Sequence, residues 1–351
     1  MATDPAIPIS DTWPDDGLEP VPRCPLCGSG VRQLRHAGLR DYFFQCAPGQ
    51  WSLFQCAECG GGYLDPRPTP DTIALAYSTY YTHQTYTVAN GLHNRIWRAL
   101  RDDYLHAAFG VPSTTAVWPG RWLLRLFPIG RQGLDAVLAR NIGLLPGEGA
   151  SLLDVGCGNG NYLEFARSAG WQVRGLDFDP AAVAAARAQG LDVLHGTIEL
   201  LAGERARYDR ITLSHLLEHA YDPWDILSSC HRLLKPGGVL WLDTPNMNSN
   251  GLAVFGPYWR GLESPRHLQL FSRKCLMDKL SEIGFSDIQD IYSSFAIGAM
   301  WEESGTIMAK AGMKKGFGHA IFGQLMAETR ALFSPDSREF ITLMCVKKNG
   351  R

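Results

Sequence analysis

From residue 152 onward, the chain alternates between short apolar runs and longer segments whose apolar residues recur at helical spacing. The short runs are typical of buried strands, and the longer segments are typical of amphipathic helices. The candidate strands are residues 152–155, 172–177, 192–195, 208–214 and 239–245, and the candidate helices are residues 162–169, 180–189 and 223–234. This alternation predicts an α/β fold with a doubly wound, mostly parallel, Rossmann-like sheet. Ligands of such sheets bind at the carboxyl ends of the strands.

Two more strands complete a predicted seven-stranded sheet, one near residues 287–291 and the other at residues 340–347. The segment 294–335, rich in Gly, Met and Phe, is predicted to be an inserted helical element. The sequence Pro-Gly-Glu-Gly at 146–149 predicts a boundary before the α/β domain. The predicted organisation is a flexible tail (1–20), a cysteine-containing module (21–70), a helical connector or lid (71–147) and the α/β domain (148–351).

The connector is rich in Trp, Arg and Leu between residues 92 and 143, and its pattern is helical. An earlier helix is predicted at residues 71–81, with tyrosines on one face that pack or, for one of them, line a substrate pocket. Two segments, 95–100 and 121–126, are basic and amphipathic. Such segments pack on a neighbouring domain, cover an apolar substrate, or make peripheral contact with a membrane surface. We favour the packed connector.

Composition narrows the function classes. The 351-residue chain is 45% hydrophobic and 19% charged, with a formal net charge of -2. The absence of a basic surplus argues against a nucleic-acid partner held by overall charge. The acidic, proline-rich start lacks the features of a secretory signal, and no apolar run approaches the length of a membrane span. We therefore expect a cytoplasmic protein, and the sequence leaves its oligomeric state open.

Four of the nine cysteines form two Cys-x-x-Cys pairs, each followed by glycine. Two residues between thiolates let both sulfurs reach one ion, and four thiolates complete a tetrahedral zinc shell. Cys24, Cys27, Cys56 and Cys59 therefore predict a zinc-ribbon-like module with a structural Zn²⁺ ion, because closed four-cysteine sites are usually structural. Cys46 lies in the long loop between the pairs and is a spare or substitute ligand. The alternative is two unrelated pairs of free thiols in a reducing compartment.

A glycine-rich bend, Asp154-Val-Gly156-Cys-Gly158-Asn-Gly160, follows the first strand of the α/β domain. Glycine permits the sharp turn and lets a ligand lie against the backbone, and the next helix begins with unpaired N–H groups. Dinucleotide-binding folds use Gly-x-Gly-x-x-Gly, but here the third glycine comes one residue early. The acid before the glycines disfavours a pyrophosphate and suits a cationic ligand such as S-adenosylmethionine. The alternative is an ordinary strand-to-helix turn.

A second acid, Asp177, ends the next predicted strand, where it can accept hydrogen bonds from both ribose hydroxyls. Phe178 beside it is a candidate for facing the adenine. The turn that contains Thr197 and Ile198 is a candidate for holding the adenine edge through backbone groups. Ser214, at the end of the fourth strand, completes the candidate donor-binding residues.

As a set, these motifs resemble the class I S-adenosylmethionine-dependent methyltransferases. The family order is matched by the glycine bend, Asp177, Leu-Glu-His at 217–219, Leu-Lys-Pro-Gly-Gly at 234–238 and Thr-Pro-Asn at 244–246. Pro-Arg-His-Leu at 265–268 is similar to the branch that acts on small molecules, and the cysteine pairs resemble bacterial members with an N-terminal zinc module. The resemblance implies S-adenosylmethionine as cofactor, with donor binding by Asp154, Gly156, Gly158, Asp177 and Phe178, and with Thr197 and Ile198 near the adenine.

Methyl transfer is a direct displacement on the sulfonium carbon, and a general base assists when the acceptor is a hydroxyl or an acidic carbon. His219 and His267 are the candidate bases, because imidazole titrates near neutrality, and Glu218 is a candidate for orienting either ring. The sequence His215-Leu-Leu-Glu-His219 formally matches a zinc-protease motif. That motif requires a helix, whereas here it follows a strand end, so we do not expect His215 and His219 to share a metal.

The expected function is methyl transfer from S-adenosylmethionine to a small-molecule acceptor such as a sugar, a lipid-linked intermediate or a natural product. The alternative is a nucleic-acid methyltransferase that binds through the zinc module, whose arginines are Arg23, Arg32, Arg35 and Arg40. A third hypothesis is a non-enzymatic scaffold with a degenerate domain, against which the intact glycine bend and Asp177 argue.

Overall fold

The structure is a computed structural model that describes residues 12–77, 92–109, 115–126, 147, 149–292, 297–314 and 321–348. Its strands are β1 (Leu18–Glu19), β2 (Arg32–Leu39), β3 (Trp51–Cys56), β4 (Gly62–Leu64), β5 (Arg67–Pro68), β6 (Ser151–Val155), β7 (Gln172–Asp177), β8 (Val193–His195), β9 (Tyr208–Ser214), β10 (Leu234–Pro245), β11 (Gln269–Leu270), β12 (Phe285–Asp290) and β13 (Phe340–Lys347). Its α-helices are α1 (Leu92–Phe109), α2 (Gly120–Leu126), α3 (Asn161–Ser168), α4 (Pro180–Ala188), α5 (Pro223–Leu233), α6 (Asn250–Phe255), α7 (Arg273–Ile283), α8 (Ile297–Lys310) and α9 (Ile321–Phe333).

Seven strands form the large sheet, in the order β12-β13-β10-β9-β6-β7-β8. Neighbouring strands from β10 to β8 are parallel, and β13 runs antiparallel to both β10 and β12. The chain runs outward from β6 through β7 to β8 and then returns to β9 on the other side of β6. The predicted doubly wound, mostly parallel sheet is confirmed. Its switch point lies between β6 and β9, where a ligand crevice is expected.

The central strand β6 is apolar on both faces because the sheet is covered on both sides. On one face, Leu153 joins a cluster with Ile211. On the other face, Leu152 packs with Leu163 of α3 and Val183 of α4. Strands of this kind tend to be continuous apolar runs, as β6 nearly is. The predicted bounds of β6 to β9 agree with the observed ones to within a residue.

A second sheet joins the cysteine module to the α/β domain. Its four antiparallel strands lie in the order β11-β4-β3-β2, and β11 belongs to the α/β domain. Gln269 pairs with Tyr63, and Leu270 pairs with Gly62. The segment predicted as a separate module, residues 21–70, therefore has its sheet completed by a strand that follows it by some two hundred positions in the sequence.

Residues 12–20, which were predicted to belong to a flexible tail, pack against the cysteine module. The Trp13 ring is 5% exposed and meets Trp51 edge-on, with 5.2 Å between ring centroids. Its Nε1–H donates to the Gly17 carbonyl at 3.1 Å, and β1 pairs with β5. The tail prediction is wrong for these residues, because the acidic, proline-rich composition surrounds a tryptophan that is buried. Residues 1–11 lie outside the described part of the chain.

The connector contributes α1 and α2, which contact each other. Tyr104, Leu105 and Leu124 form a small buried cluster, and Phe165 of α3 packs against it. The connector also exposes large apolar side chains, namely Trp97, Trp118, Trp122 and Leu126. The described part of the connector is therefore packed on the α/β domain through this cluster. The rest of the predicted connector helix, residues 127–143, lies outside the described residues.

Two other predicted helical segments are described in part. Residues 71–81 contain a 3-10 helix, Ile73–Tyr77, and the positions after it are outside the described residues. The predicted insertion, residues 294–335, contains α8 and α9. Among the residues that the structure describes, no helix is long and apolar enough to cross a membrane.

Candidate active site

A cavity of about 670 Å³ opens at the switch point, beside the carboxyl ends of β6, β7, β9 and β10. Six of the predicted site residues line it, namely Gly156, Gly158, Asp177, Phe178, His219 and His267. The other predicted site residues of the α/β domain are not among its lining residues, namely Asp154, Thr197, Ile198, Ser214 and Glu218.

The glycine bend has the conformation that its sequence predicts. Gly156, Gly158 and Gly160 have φ values of 75°, 55° and 82°, a region that other residues rarely adopt. A Cβ on Gly160 would lie 2.4 Å from Leu191, so this glycine is required for packing of the helix. A Cβ on Gly158 would meet nothing within 4 Å. Gly158 is thus the point at which the backbone is open to a ligand in the cavity.

Asp177 at the end of β7 is tied to the glycine bend. One carboxylate oxygen accepts the Gly158 N–H at 2.8 Å, and the other accepts the Asp179 N–H at 2.9 Å. The carboxylate is 7% exposed and lies in the cavity wall. Each of its oxygens keeps a second lone pair, so Asp177 is able to accept two further hydroxyl donors from a ligand.

Asp154, the other acid predicted to bind the donor, does not reach the cavity. Its side chain is 0% exposed. The carboxylate accepts a hydrogen bond from Thr212 Oγ1 at 2.6 Å, across the β6–β9 pair. The neighbouring strand β9 therefore holds this carboxylate inside the sheet. Its position does not support direct contact with a ligand in the cavity.

Phe178 is 56% exposed, and its ring meets Tyr77 with 6.1 Å between centroids. One face is therefore available for stacking. Ile198 is buried in the core, and Thr197 precedes it at an exposed position, so this turn offers backbone groups rather than side chains. The predicted role of that turn through its backbone is compatible with this arrangement.

Two histidines face each other at one end of the cavity. His219 ends the 3-10 turn Leu217–His219, and His267 lies just before β11. Their ring centroids are 4.7 Å apart, with an interplanar angle of 75°. Nδ1 of His219 lies 3.0 Å from the Arg266 carbonyl, and Nδ1 of His267 lies 2.8 Å from the Gly261 carbonyl. Burial and the nearby His219 lower the pKa of His267 to about 4, so this ring is neutral at neutral pH.

Glu218 lies fully buried beneath these histidines. It accepts hydrogen bonds from Thr244 Oγ1 at 2.9 Å and from His215 Nδ1 at 3.2 Å. Burial by itself would raise the pKa of Glu218. The hydrogen bond and the positive charge of His215 have the larger, opposite effect and lower this pKa to about 2. For His215, desolvation opposes a positive charge, while hydrogen bonds to Asp243 and Glu218 raise its pKa well above the ordinary value. His215 is therefore a cation that neutralises Glu218, and it does not share a ligand position with His219.

The other residues that line the cavity include Tyr77, Arg260 and Glu263, and Tyr77 belongs to the segment for which one pocket-lining tyrosine was the alternative prediction. Tyr77 places its hydroxyl 3.1 Å from Nδ1 of His219. Arg260 and Glu263 form an ion pair in the loop between α6 and β11. Sequence gives no local signal for Arg260 and Glu263, because only tertiary packing brings them over the carboxyl ends of the strands.

The four predicted cysteines converge in the N-terminal module. One sulfur from each lies within 4.8 Å of every other, with 3.7 Å between Cys24 and Cys59 and 3.5 Å between Cys27 and Cys56. Ligands about 2.3 Å from a tetrahedral zinc ion are about 3.8 Å apart, so this spacing fits such an ion. Cys46 is not in the cluster, since its thiol donates to Asp41 and to the Ala76 carbonyl.

Two arginines of this module have side-chain contacts within it. Arg32 pairs with Asp65 at 2.5 Å, and its guanidinium lies 4.1 Å from the centroid of the Phe54 ring. Arg23 donates to the Gly28 carbonyl at 3.2 Å. The Asp65 carboxylate therefore offsets one of the four positive charges on which the nucleic-acid alternative depends.

Comparison with known proteins agrees with this geometry. Residues 121–290 match a family described as "Methyltransferase domain". The chain is similar to the ubiquinone biosynthesis O-methyltransferase of Xanthomonas oryzae pv. oryzae, with 40% identity over 142 residues, 38% of this chain and 58% of the relative. It is also similar to the enzyme of the same description from Cereibacter sphaeroides, with 33% identity over 147 residues, 40% of this chain and 60% of the relative. The chain thus spans less than two thirds of the length of these curated relatives.

Among solved structures, the chain is similar to phosphoethanolamine N-methyltransferase 2 of Haemonchus contortus. The identity is 17%, the TM-score is 0.47, and the match covers 81% of this chain and 63% of that chain. A glycine bend at the switch point, an acid at the end of the next strand and a cavity beside both characterise this α/β domain. The family match identifies residues 121–290 as similar to the domain of S-adenosylmethionine-dependent methyltransferases.

Proposed function

We propose that this protein transfers the methyl group of S-adenosylmethionine to a hydroxyl group of a small-molecule acceptor. The observation that carries the proposal is that Asp177 and His219 line the same cavity, one at the end of β7 and the other just after β9. The first is suited to the donor's ribose, and the second is suited to activating the acceptor. An oxygen acceptor is favoured because the similar curated proteins are described as O-methyltransferases.

The donor site is built from the glycine bend and the end of β7. The open backbone at Gly158 accommodates the donor beside the helix N-terminus. The free lone pairs of Asp177 accept the two ribose hydroxyls, and charge-assisted bonds of this kind are the strong ones. The exposed ring of Phe178 stacks on the adenine. The turn at Thr197 and Ile198 holds the adenine edge through its backbone.

Methyl transfer at this site depends first on alignment of acceptor oxygen, methyl carbon and sulfur, which is worth at most about 7–11 kcal/mol. A base adds roughly 10²–10⁴-fold for a hydroxyl acceptor. A carbonyl can only accept, so Nδ1 of His219 carries the hydrogen toward Arg266. Its Nε2 is then free to receive the acceptor proton. His267 and Glu218 support this ring from the buried side of the cluster.

The proposed ion of the four-cysteine cluster is a structural Zn²⁺. A closed shell of four thiolates leaves no position for a substrate. The cluster also contacts the α/β domain, since Ser272 Oγ donates to the Cys59 carbonyl at 2.6 Å and Trp224 Nε1 donates to the Leu26 carbonyl at 3.0 Å. Its role is to hold the module that completes the small sheet.

The test is formation of S-adenosylhomocysteine with a panel of phenols, sugars and long-chain alcohols. At least one acceptor class should be methylated on oxygen. His219→Gln should lower kcat by about 10²–10⁴-fold while leaving the Kd for S-adenosylmethionine unchanged. His106→Gln, an exposed position on α1, is the control and should match wild type. Full activity of His219→Gln, or turnover of none of the acceptors, would refute the proposal.

A further inference from the structure

Glu218, His219 and His267 are arranged as a set of ligands. Each offers one nitrogen or oxygen atom within 4.8 Å of the corresponding atoms of the other two. Glu218 is 0% exposed and His267 is 7% exposed, whereas His219 is half-buried at the cavity. The set is therefore closed on the protein side and open on the cavity side.

Both imidazoles have their tautomers set by backbone carbonyls. Nδ1 of each ring donates, to Arg266 in the case of His219 and to Gly261 in the case of His267. The Nε2 atoms therefore carry lone pairs. Nε2 of His267 lies 4.0 Å from Glu218 Oε1, which is too long for a hydrogen bond. Within the described residues, no hydrogen bond to this nitrogen is found, and His267 lines the cavity.

The carboxylate of the set is Glu218. Glu263 also approaches His267 to 4.0 Å, but it is paired with Arg260 and with Arg266. Glu218 is held by Thr244 and His215. Two imidazoles and this carboxylate thus offer a cation three donor atoms within 4.8 Å of one another.

We propose that Glu218, His219 and His267 bind a divalent transition-metal ion at the wall of the cavity. Two histidines and one carboxylate with open positions on one side are a recognised ligand set for such ions, and imidazole favours them over magnesium or calcium. Histidines that bind a metal usually donate their other N–H to a carbonyl or carboxylate, and carboxylates that bind a metal are usually hydrogen-bonded themselves. The contacts of His219, His267 and Glu218 described above follow this pattern.

The open side of the ion faces the space that the proposed function gives to the acceptor. Metal binding by these three residues does not depend on the proposed function, whereas the role of the ion in methyl transfer rests on that function. The acceptor hydroxyl binds the ion and loses its proton to solvent. The oxygen then forms a bond to the methyl carbon while the carbon–sulfur bond breaks, and the electron pair stays on sulfur as the thioether. In the metal-bound protein, His219 is a ligand and does not act as the base. The ion then activates the acceptor hydroxyl.

The test is a titration with Co²⁺ of the full-length protein, carrying one zinc per chain after removal of weakly held metal by a mild chelator. Calorimetry should give one equivalent of bound cobalt, and the absorption spectrum should lack the sulfur-to-cobalt charge-transfer band of a thiolate site. His267→Gln and His219→Gln should each bind cobalt more than about 100-fold more weakly, because even the loss of an outer contact costs 10–100-fold. His106→Gln should bind as wild type does.

Absence of cobalt binding by wild type, unchanged binding in both histidine variants, or a thiolate charge-transfer band as the only signal would overturn the proposal. His267 is buried, so the unfolding temperature of each variant is measured first, and His219→Gln decides if His267→Gln does not fold. Binding of S-adenosylmethionine is measured on the same samples. If the donor binds and cobalt does not, only the metal site fails; if wild type does not bind the donor, the proposed function fails.

Discussion

At the scale of single residues, the two strand acids have different positions although their sequence contexts are alike. Asp177 is the last residue of β7 and its carboxylate meets the glycine bend. Asp154 is the residue before the end of β6, and its carboxylate accepts a hydrogen bond from Thr212 of β9. Sequence predicts that both are near strand ends. It cannot predict which neighbouring strand residue lies opposite, because that register comes from the assembled sheet.

The position of Asp154 leads to a stability prediction. Thr212→Val removes the hydrogen bond to the buried Asp154 carboxylate, and leaving buried polar groups with fewer partners costs about 1–3 kcal/mol. The free energy of unfolding in urea should fall by that amount. The Kd for S-adenosylmethionine should change by less than about threefold, because the carboxylate is inside the sheet. A change in Kd of more than tenfold in a stable variant would show that Asp154 acts on the donor.

At the scale of elements, the predictable parts are those with a periodic pattern. The strands β6 to β9 and the helices between them are visible in the sequence because short segments with apolar residues alternate with segments of helical periodicity. The two-residue strand β11 has no such signal, and its partner β4 lies far away in the chain. The burial of Trp13 is likewise not predictable from the local sequence, because it depends on contact with Trp51.

The link between the cysteine module and the cavity is a buried ion pair. Both nitrogens of the Arg266 fork donate to Asp41, at 2.8 and 3.0 Å. Arg266 is 0% exposed, and its own carbonyl accepts from His219. Burial alone would raise the pKa of Asp41, but the hydrogen bonds and charge of Arg266 outweigh it and lower that pKa.

Asp41→Asn should therefore lower the free energy of unfolding by about 1.5–3 kcal/mol at pH 7, because it removes one of the two carboxylates that pair with the buried Arg266, the other being Glu263. The pKa of Asp41 is lower in the folded state than in the unfolded state, so its contribution is present above the unfolded pKa and is lost as the pH falls through the folded value. Urea unfolding at pH 7, 5 and 3 should show the difference between variant and wild type shrinking at the lowest pH.

Asp192→Asn is the matched control for this series. Asp192 pairs with Arg174 at the surface, where an ion pair contributes about 0–1 kcal/mol. A loss for Asp41→Asn that is no larger than the loss for Asp192→Asn would contradict a buried link between the two parts of the chain.

At the scale of the whole molecule, the cysteine module and the methyltransferase domain are joined by a shared sheet and a buried pair. Sequence predicts both parts, because Cys-x-x-Cys pairs and a glycine bend are local motifs. It does not predict that the strand completing the module's sheet directly follows His267 and Leu268. Loss of the ion should therefore affect a cavity that the cysteines do not line.

Cys27→Ser should reduce the zinc content to well below one ion per chain, measured by elemental analysis. It should also lower the unfolding temperature and weaken methyl transfer, because metal binding and folding of such modules are coupled. Cys46→Ala is the control, since Cys46 lies outside the cluster, and it should retain the zinc. Equal zinc content in Cys27→Ser and wild type would show that the cluster does not hold the ion.

The most direct measurement is calorimetric titration of the protein with S-adenosylmethionine, for wild type and Asp177→Ala. Wild type should bind one equivalent. Asp177→Ala should bind at least about tenfold more weakly, because hydrogen bonds to a charged group contribute about 1.5–3 kcal/mol each. Failure of wild type to bind, or unchanged affinity in a folded Asp177→Ala variant, would contradict a donor site at the glycine bend and Asp177.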